Sequence, residues 1–243
     1  MTVTAAEHYE HHLAAIYVWM AGGLDAALQA GSAELDALQL GLRPGDAVVD
    51  LGAGFGMHAI ALARRGATVT AIDSSAALLQ TLAELGVGLP VLAVHDDLLA
   101  FQRHIGPAPS AILCMGDTIT HLPTVGDVER LMEQACHALL PGGQFVMTFR
   151  DYTAPLVGVQ RFIPVRSDDT RILTCFLEYE EGGVLVHDIL HERTADGWQT
   201  RVSQYRKLRL SPDHLIRCLQ SYGCSVRREA GLRGMVRLVA QRG

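Results

Sequence analysis

Residues 47–73 read Ala-Val-Val-Asp-Leu-Gly-Ala-Gly-Phe-Gly-Met-His-Ala-Ile-Ala-Leu-Ala-Arg-Arg-Gly-Ala-Thr-Val-Thr-Ala-Ile-Asp, and their spacing predicts a nucleotide-binding strand, turn, helix and strand. The apolar run 47–51 suits a parallel strand buried on both faces, and Gly52, Gly54 and Gly56 follow it at alternate positions. Such a turn lets backbone approach a ligand. Ala59, Leu62 and Ala63 then recur at helical spacing, Gly66 stops the helix, and residues 69–72 give a second buried strand ending in Asp73, an acid placed to grip a ribose.

Glycine spacing separates two cofactor classes. A dinucleotide fingerprint, Gly-x-Gly-x-x-Gly, needs a third glycine where this chain has Met57. The run from Asp50 to Gly56 is Asp-x-Gly-x-Gly-x-Gly, and it resembles the first motif of class I S-adenosylmethionine-dependent methyltransferases. The resemblance implies S-adenosyl-L-methionine as cofactor, with the glycine turn under its methionine part and Asp73 accepting hydrogen bonds from both ribose hydroxyls.

Composition bounds the rest. The chain has 243 residues, 49% of them apolar, which suits one α/β domain with an insertion or small subdomain. No apolar run approaches membrane-spanning length and no basic-then-apolar leader opens the chain, so a cytoplasmic protein with no membrane partner is expected. Cys114, Cys136, Cys175, Cys218 and Cys224 form no Cys-x-x-Cys pair, and neither a disulfide framework nor a metal centre is expected. The net charge of −6 conceals a basic end: residues 201–243 carry ten Lys and Arg against Asp213 and Glu229. That could mark an RNA-binding face, but the charges read as solvated strand and helix positions without interleaved aromatics, and no nucleic-acid partner is expected.

Residues 5–21 carry Tyr9, Leu13, Ile16, Tyr17 and Met20 at helical spacing, and a second helix is predicted over 24–40. Lying across a cofactor mouth, Tyr17 could cap a sulfonium by cation–π attraction; simple core packing is the alternative, and is favoured for Trp19. His8, His11 and His12 lack His-Glu-x-x-His order and are expected on a solvated or mouth-lining face. His187 and His191 point one way along a predicted strand, without a metal assigned to them.

A strand over 91–94 ends at Asp96 and Asp97, so that acids stand at three successive strand ends, with Asp50 and Asp73 at the first two. Carboxyl ends of parallel strands converge on one crevice; one of the two acids should reach the adenine amine, while its neighbour caps the helix that follows, and sequence alone leaves the assignment open. The fourth strand, 111–115, leads into Gly116-Asp117-Thr118-Ile119-Thr120-His121-Leu122-Pro123. This is similar to the Leu-Gly-Asn-Ser-Phe-Ala-His-Leu-Pro loop of glycine N-methyltransferase-like enzymes, where methyl donor and acceptor meet. After a helix over 128–140 and a strand over 144–149, Phe149-Arg150-Asp151-Tyr152 resembles that family's His-Arg-Asn-Tyr, whose arginine grips a substrate carboxylate. A guanidinium fork matches two carboxylate oxygens. Asp117 replaces the asparagine of the compared loop and would repel a carboxylate set against it.

From 152 to 210, runs at 161–166, 171–179, 184–193 and 198–208 alternate with turn residues and predict an antiparallel meander. Ser211-Pro212-Asp213 starts a helix to 221, and strands over 224–228 and 235–241 follow, the last antiparallel. The expected fold is α/β: a doubly wound, mostly parallel seven-stranded sheet, Rossmann-like, with an antiparallel β insertion. Residues 1–41 would be N-terminal helices capping the cofactor site, 42–151 and 211–243 the cofactor-binding domain, and 152–210 the insertion on the substrate side. The resemblance implies Tyr17, Asp50, Gly52, Ala53, Gly54, Asp73, Ser74, Asp96, Asp97, Met115 and His121 as cofactor contacts, and His121, Asp117 and Arg150 around the transferred methyl. The implied acceptor is a small molecule, an amine that could bear a carboxylate. RNA methylation or cofactor binding without turnover are the alternatives, and a homodimer is allowed.

Overall fold

The computed structural model describes residues 4–243. Strands β1 (Ala47–Leu51), β2 (Thr68–Asp73), β3 (Val91–His95), β4 (Ala111–Cys114), β5 (Gln144–Phe149), β10 (Cys224–Ala230) and β11 (Val236–Arg242) form one sheet in the order β10-β11-β5-β4-β1-β2-β3. β11 pairs antiparallel with both β5 and β10, while β1 to β5 run parallel to one another. The doubly wound α/β fold expected from sequence is therefore present.

Period-2 alternation along the strands feeds two cores. Val49, Ile112, Cys114, Phe145 and Met147 pack under α6 (Val125–Ala138) and α7 (Pro212–Ser221). Val48, Ala111, Leu113 and Val146 pack under α3 (Leu24–Leu38), α4 (Met57–Arg64) and α5 (Ala76–Leu85). Both faces are covered, which is why the strands read as apolar runs.

Between β5 and α7 lie the meander strands β6 (Phe162–Ser167), β7 (Arg171–Glu180), β8 (Gly183–Thr194) and β9 (Gly197–Leu208), antiparallel in that order. The two-residue connection Glu181-Gly182, with Gly182 at φ 73°, sets the β7–β8 register.

The N-terminal segment runs as α1 (Ala5–His8), a π turn (Tyr9–Leu13) and α2 (Ala14–Met20), where one uninterrupted helix was expected. It lies between the two sheets' flanks: Leu13 and Ile16 pack on Leu173 and Leu190 of the meander, and Tyr17 packs beside Phe55 and Leu78. Among the described residues no single helix is long and apolar enough to cross a membrane. Of the boundaries that differ from the sequence expectation, two have plain local causes. α3 stops at Leu38 because Gln39 turns left-handed (φ 51°). α6 starts at Val125, three residues early, because Thr124 Oγ1 accepts from the Asp127 amide and fixes the cap there.

Candidate active site

The parallel strands deliver their carboxyl ends to one edge, and there the glycine turn is held against β2. Gly52 and Ala53 amides donate to the Ile72 carbonyl, and the Gly54 and Ser75 amides donate to the two Asp73 oxygens, both at 2.8 Å. Gly52 sits at φ 73°, and a Cβ built on it would fall 2.4 Å from Thr118 Cγ2. Only glycine fits between β2 and the loop after β4. Burial pushes the Asp73 carboxyl up, against the pull of the Ser75, Gly54 and Ser74 amides.

Asp50, at the end of β1, is 1% exposed and its Oδ2 has no hydrogen-bond partner among the described residues. Burial raises its carboxyl to about 6, with His58 opposing. An orphaned buried oxygen is costly until a donor reaches it, and this one belongs to the residue two positions before Gly52, where a Cβ has no room. A ligand bearing amino and hydroxyl donors fits that pair of features. Tyr17 Cε1 passes 3.9 Å from where a Gly54 Cβ would be, so its ring lies over the turn, edge-on to Phe55. Ser75 Oγ donates to Glu10 Oε2 at 2.7 Å, tying the N-terminal segment to the same rim.

The remaining expected cofactor contacts are placed less uniformly. Ser74 offers its carbonyl to His95 Nε2, and Met115 is buried with its carbonyl accepting from Thr118 Oγ1. Asp97 caps the 3-10 turn Leu98–Arg103 through the Leu99 amide. Asp96 accepts from the Asp97 amide and pairs with His104 Nε2 at 2.6 Å, which holds its carboxyl below the ordinary range. The capping half of the ambiguity thus falls to Asp97.

The loop after β4 turns through Asp117 at φ 78°, and its side chain is fully committed. Oδ1 accepts from the Arg150 amide at 2.8 Å; Oδ2 accepts from Tyr152 Oη at 3.0 Å and from Lys207 Nζ at 2.6 Å. Burial works to raise this carboxyl, but Lys207 and His121 beside it bring it below the ordinary value; Lys207, resisting its own desolvation through Asp117, is held above its own. Sequence reasoning left the Asp117 charge bare and repulsive toward a carboxylate. The structure corrects this, because Lys207 neutralises it. Lys207 itself was expected among solvated strand positions, yet it is 8% exposed.

Aromatic rings surround His121. Its centroid lies 5.4 Å from Tyr9 and 5.6 Å from Tyr205, and its Nε2 is buried with no partner among the described residues. Burial, then Lys207, lower the imidazole to about 3, so the ring is neutral at physiological pH. Tyr205 stacks on His8 at 4.1 Å. His8 Nε2 lies 2.8 Å from Asp188 Oδ2 and Nδ1 2.8 Å from Ser203 Oγ, while Cys175 Sγ donates to Asp188 Oδ1. His8 and His12 are 1% and 8% exposed, so of the solvated or mouth-lining face expected for the three histidines only His11 takes the solvated alternative. His187 bonds Glu178 and His191 bonds Thr200, so the strand pair is engaged separately.

Arg150 Nη1 donates to the Arg233 carbonyl at 3.0 Å, and the rest of its fork makes no bond among the described residues. Lys207, Tyr205 and Asp188 are the members that sequence reasoning missed. One signal was available: Ser203, Tyr205 and Lys207 share strand parity, and an aromatic between them marks that face as inward. The basic C-terminal region is largely spent internally. Arg201 pairs with Glu192, Arg206 with Glu180, Arg228 with Asp213, Arg227 and Arg237 with Glu229, and Arg209 and Arg242 bond main-chain carbonyls.

Residues 48–143 match the family model described as a methyltransferase domain. Over 111 residues the chain is 40% identical to the ubiquinone biosynthesis O-methyltransferase of Xylella fastidiosa, covering 43% of this chain and 42% of that protein. Over 107 residues it is 28% identical to the glycine/sarcosine N-methyltransferase of Aphanothece halophytica, covering 43% and 40%. The chain thus spans under half the length of these curated relatives. Among solved structures, the CcbJ methyltransferase of Streptomyces caelestis superposes over 97% of this chain and 98% of its own with a TM-score of 0.77 at 22% identity. An amino pentose methyltransferase from Micromonospora echinaspora, bound to S-adenosylmethionine, superposes over 89% and 92% with a TM-score of 0.74 at 18% identity. These likenesses carry the fold.

Proposed function

We propose that this chain, which carries a class I S-adenosylmethionine-dependent methyltransferase domain, transfers the methyl group of S-adenosylmethionine to a small-molecule acceptor, with an amine as the acceptor supported best. The observation that carries the reading is the continuity of two half-sites. The Asp50–Gly52–Gly54–Asp73 cradle, with its orphaned carboxylate oxygen, joins through Thr118 and Met115 to a neutral His121 whose Nε2 is buried and unpartnered.

In this reading Asp73 holds the ribose hydroxyls, Asp50 and the Gly52–Gly54 backbone hold the amino-acid end, and Tyr17 closes over them. The bound cofactor would supply a methyl carbon already activated by its sulfonium. Alignment and exclusion of water are then the chain's main contributions. His121, in the tautomer with Nε2 unprotonated, accepts the acceptor's N–H and turns its lone pair toward the methyl. Because the ring is held neutral, it favours the unprotonated amine that can attack. Arg150 offers its free donors to a negative substituent, and the Lys207–Asp117 pair leaves no bare charge to repel one. Similar proteins include an O- and an N-methyltransferase by name, so the atom methylated is decided by assay.

Calorimetry with the demethylated cofactor is the first test: binding in the native chain, and loss of on the order of 1.5–3 kcal/mol per charge-assisted hydrogen bond in Asp73→Ala. Turnover is then read on matched amine, hydroxyl and RNA acceptors. Undiminished affinity in Asp73→Ala sinks the ribose assignment. Binding without turnover on any acceptor favours a regulatory module.

A further inference from the structure

Far along the chain from the strand-end residues, α6 and α7 bring three donors of different chemistry to one point. His214 and Cys218 stand four residues apart on α7, so they share a helical face. Glu129 faces them from α6. His214 Nε2 lies 2.7 Å from Glu129 Oε1, Cys218 Sγ 3.6 Å from His214 Nε2, and Cys218 Sγ 4.0 Å from Glu129 Oε1. All three ligand atoms lie within 4.8 Å of one another. The His214 and Glu129 side chains are 40% and 37% exposed, open enough for an ion to enter.

We propose that Glu129, His214 and Cys218 form a zinc site that staples α6 to α7. An imidazole, a thiolate and a carboxylate are the ligand types that zinc accepts, and metal–ligand bonds of about 2.0–2.3 Å on tetrahedral directions need donors roughly 3.3–3.8 Å apart. Two of the three separations are already close to that span, and the His214–Glu129 hydrogen bond opens by about half an ångström to admit the ion. Water completes the fourth position. On binding, the Cys218 thiol loses its proton to solvent, and carboxylate plus thiolate balance the dication. The helices are fixed already: Leu215 and Leu219 of α7 join Val128, Leu131 and Met132 of α6 in one core, and Ser211 caps α7. Binding therefore meets a preformed site and raises stability by mass action rather than creating the fold.

The test uses the whole chain, freed of metal by a chelator and then titrated with Zn(II), and separately with Co(II) as a spectroscopic probe. The expected result is one equivalent bound, release of one proton, a higher melting temperature and a thiolate-to-cobalt charge-transfer band. Cys218→Ser should abolish the band and His214→Ala should weaken binding at least about tenfold, whereas Cys175→Ser, which alters the other half-buried thiol, should keep both. A cobalt complex without the thiolate band overturns the proposal. So does a band that survives in Cys218→Ser, or zinc affinity unchanged in both Cys218→Ser and His214→Ala. Circular dichroism confirms that each variant is folded before titration.

Discussion

Lys207 Nζ lies 2.6 Å from Asp117 Oδ2, with the two side chains 10% and 5% exposed. The bond joins the last meander strand to the loop after β4, two segments ninety residues apart. Losing one partner leaves the other as an uncompensated buried charge, so Lys207→Met should destabilise the fold by about 3–5 kcal/mol. Adding Asp117→Asn should restore most of that loss, since Asn tolerates the left-handed backbone and keeps an acceptor for the Arg150 amide. Urea unfolding of both variants measures this, and a double variant no more stable than the single one would contradict it.

The same pair has a pH window. Asp117 is held below its usual 3.8 and Lys207 above its usual 10.5. Its stabilisation is complete between those two values. It is lost below 3.8 as the folded-state carboxyl protonates, and above 10.5 as the folded-state ammonium deprotonates.

His121 acts in the opposite sense for a base. Its folded value of about 3 lies below the usual 6.5, so the unfolded chain binds more protons between those limits. Its contribution is complete above pH 6.5 and falls away as the pH drops toward 3. Asp50, raised from 3.8 to about 6, works against this by stabilising the fold as pH falls through that interval. Comparing unfolding midpoints of the native chain and His121→Asn across the range cancels the Asp50 part. The variant should show the shallower acid limb.

Gly52 and Gly54 both have positive φ, at 73° and 55°, yet they should respond differently to alanine. At Gly54 the new methyl meets only ordinary contacts at 3.9 Å, so the cost is the left-handed backbone, about 1–2 kcal/mol. At Gly52 it strikes the Thr118 side chain at 2.4 Å, and the loop carrying Asp117 and His121 must move. Gly52→Ala should therefore lose cofactor affinity and turnover together. Calorimetry with the demethylated cofactor separates the two variants, and equal losses would refute the clash.

Steady-state kinetics should split Arg150 and His121, the two residues proposed to meet the acceptor. Arg150→Ala should raise the acceptor KM on the order of 10- to 100-fold with little change in kcat, as expected for a grip made equally before and during transfer. His121→Ala should lower kcat about 100-fold, the lower end of what a positioned proton acceptor contributes. Unchanged kcat in His121→Ala would remove that residue from the reaction.

What the sequence made legible follows from locality. The Asp-x-Gly-x-Gly-x-Gly turn, the acids at the carboxyl ends of β1, β2 and β3 and the meander's two-residue turns are all encoded within a few residues, and periodicity exposed them. The His8–Asp188 and Lys207–Asp117 bonds are not local: their partners are 180 and 90 residues apart. A lysine at an alternating strand position looks solvated until the loop that covers it is known. The helix pair carrying Glu129, His214 and Cys218 hid for a similar reason, since only two of its three donors share a helix.

The position of β11 bears on how the chain is made. It is hydrogen-bonded between β5 and β10, although residues 150–235 separate it from β5 in sequence. At ribosomal speed those residues take roughly ten seconds to emerge. During that interval β5 presents an unpaired edge, buried later between β4 and β11. The meander, built from neighbouring hairpins, can zip up within that time by itself. Synthesis thus passes through a state with the four-stranded meander assembled and the main sheet still open, and chaperone capture or misassociation would be concentrated there.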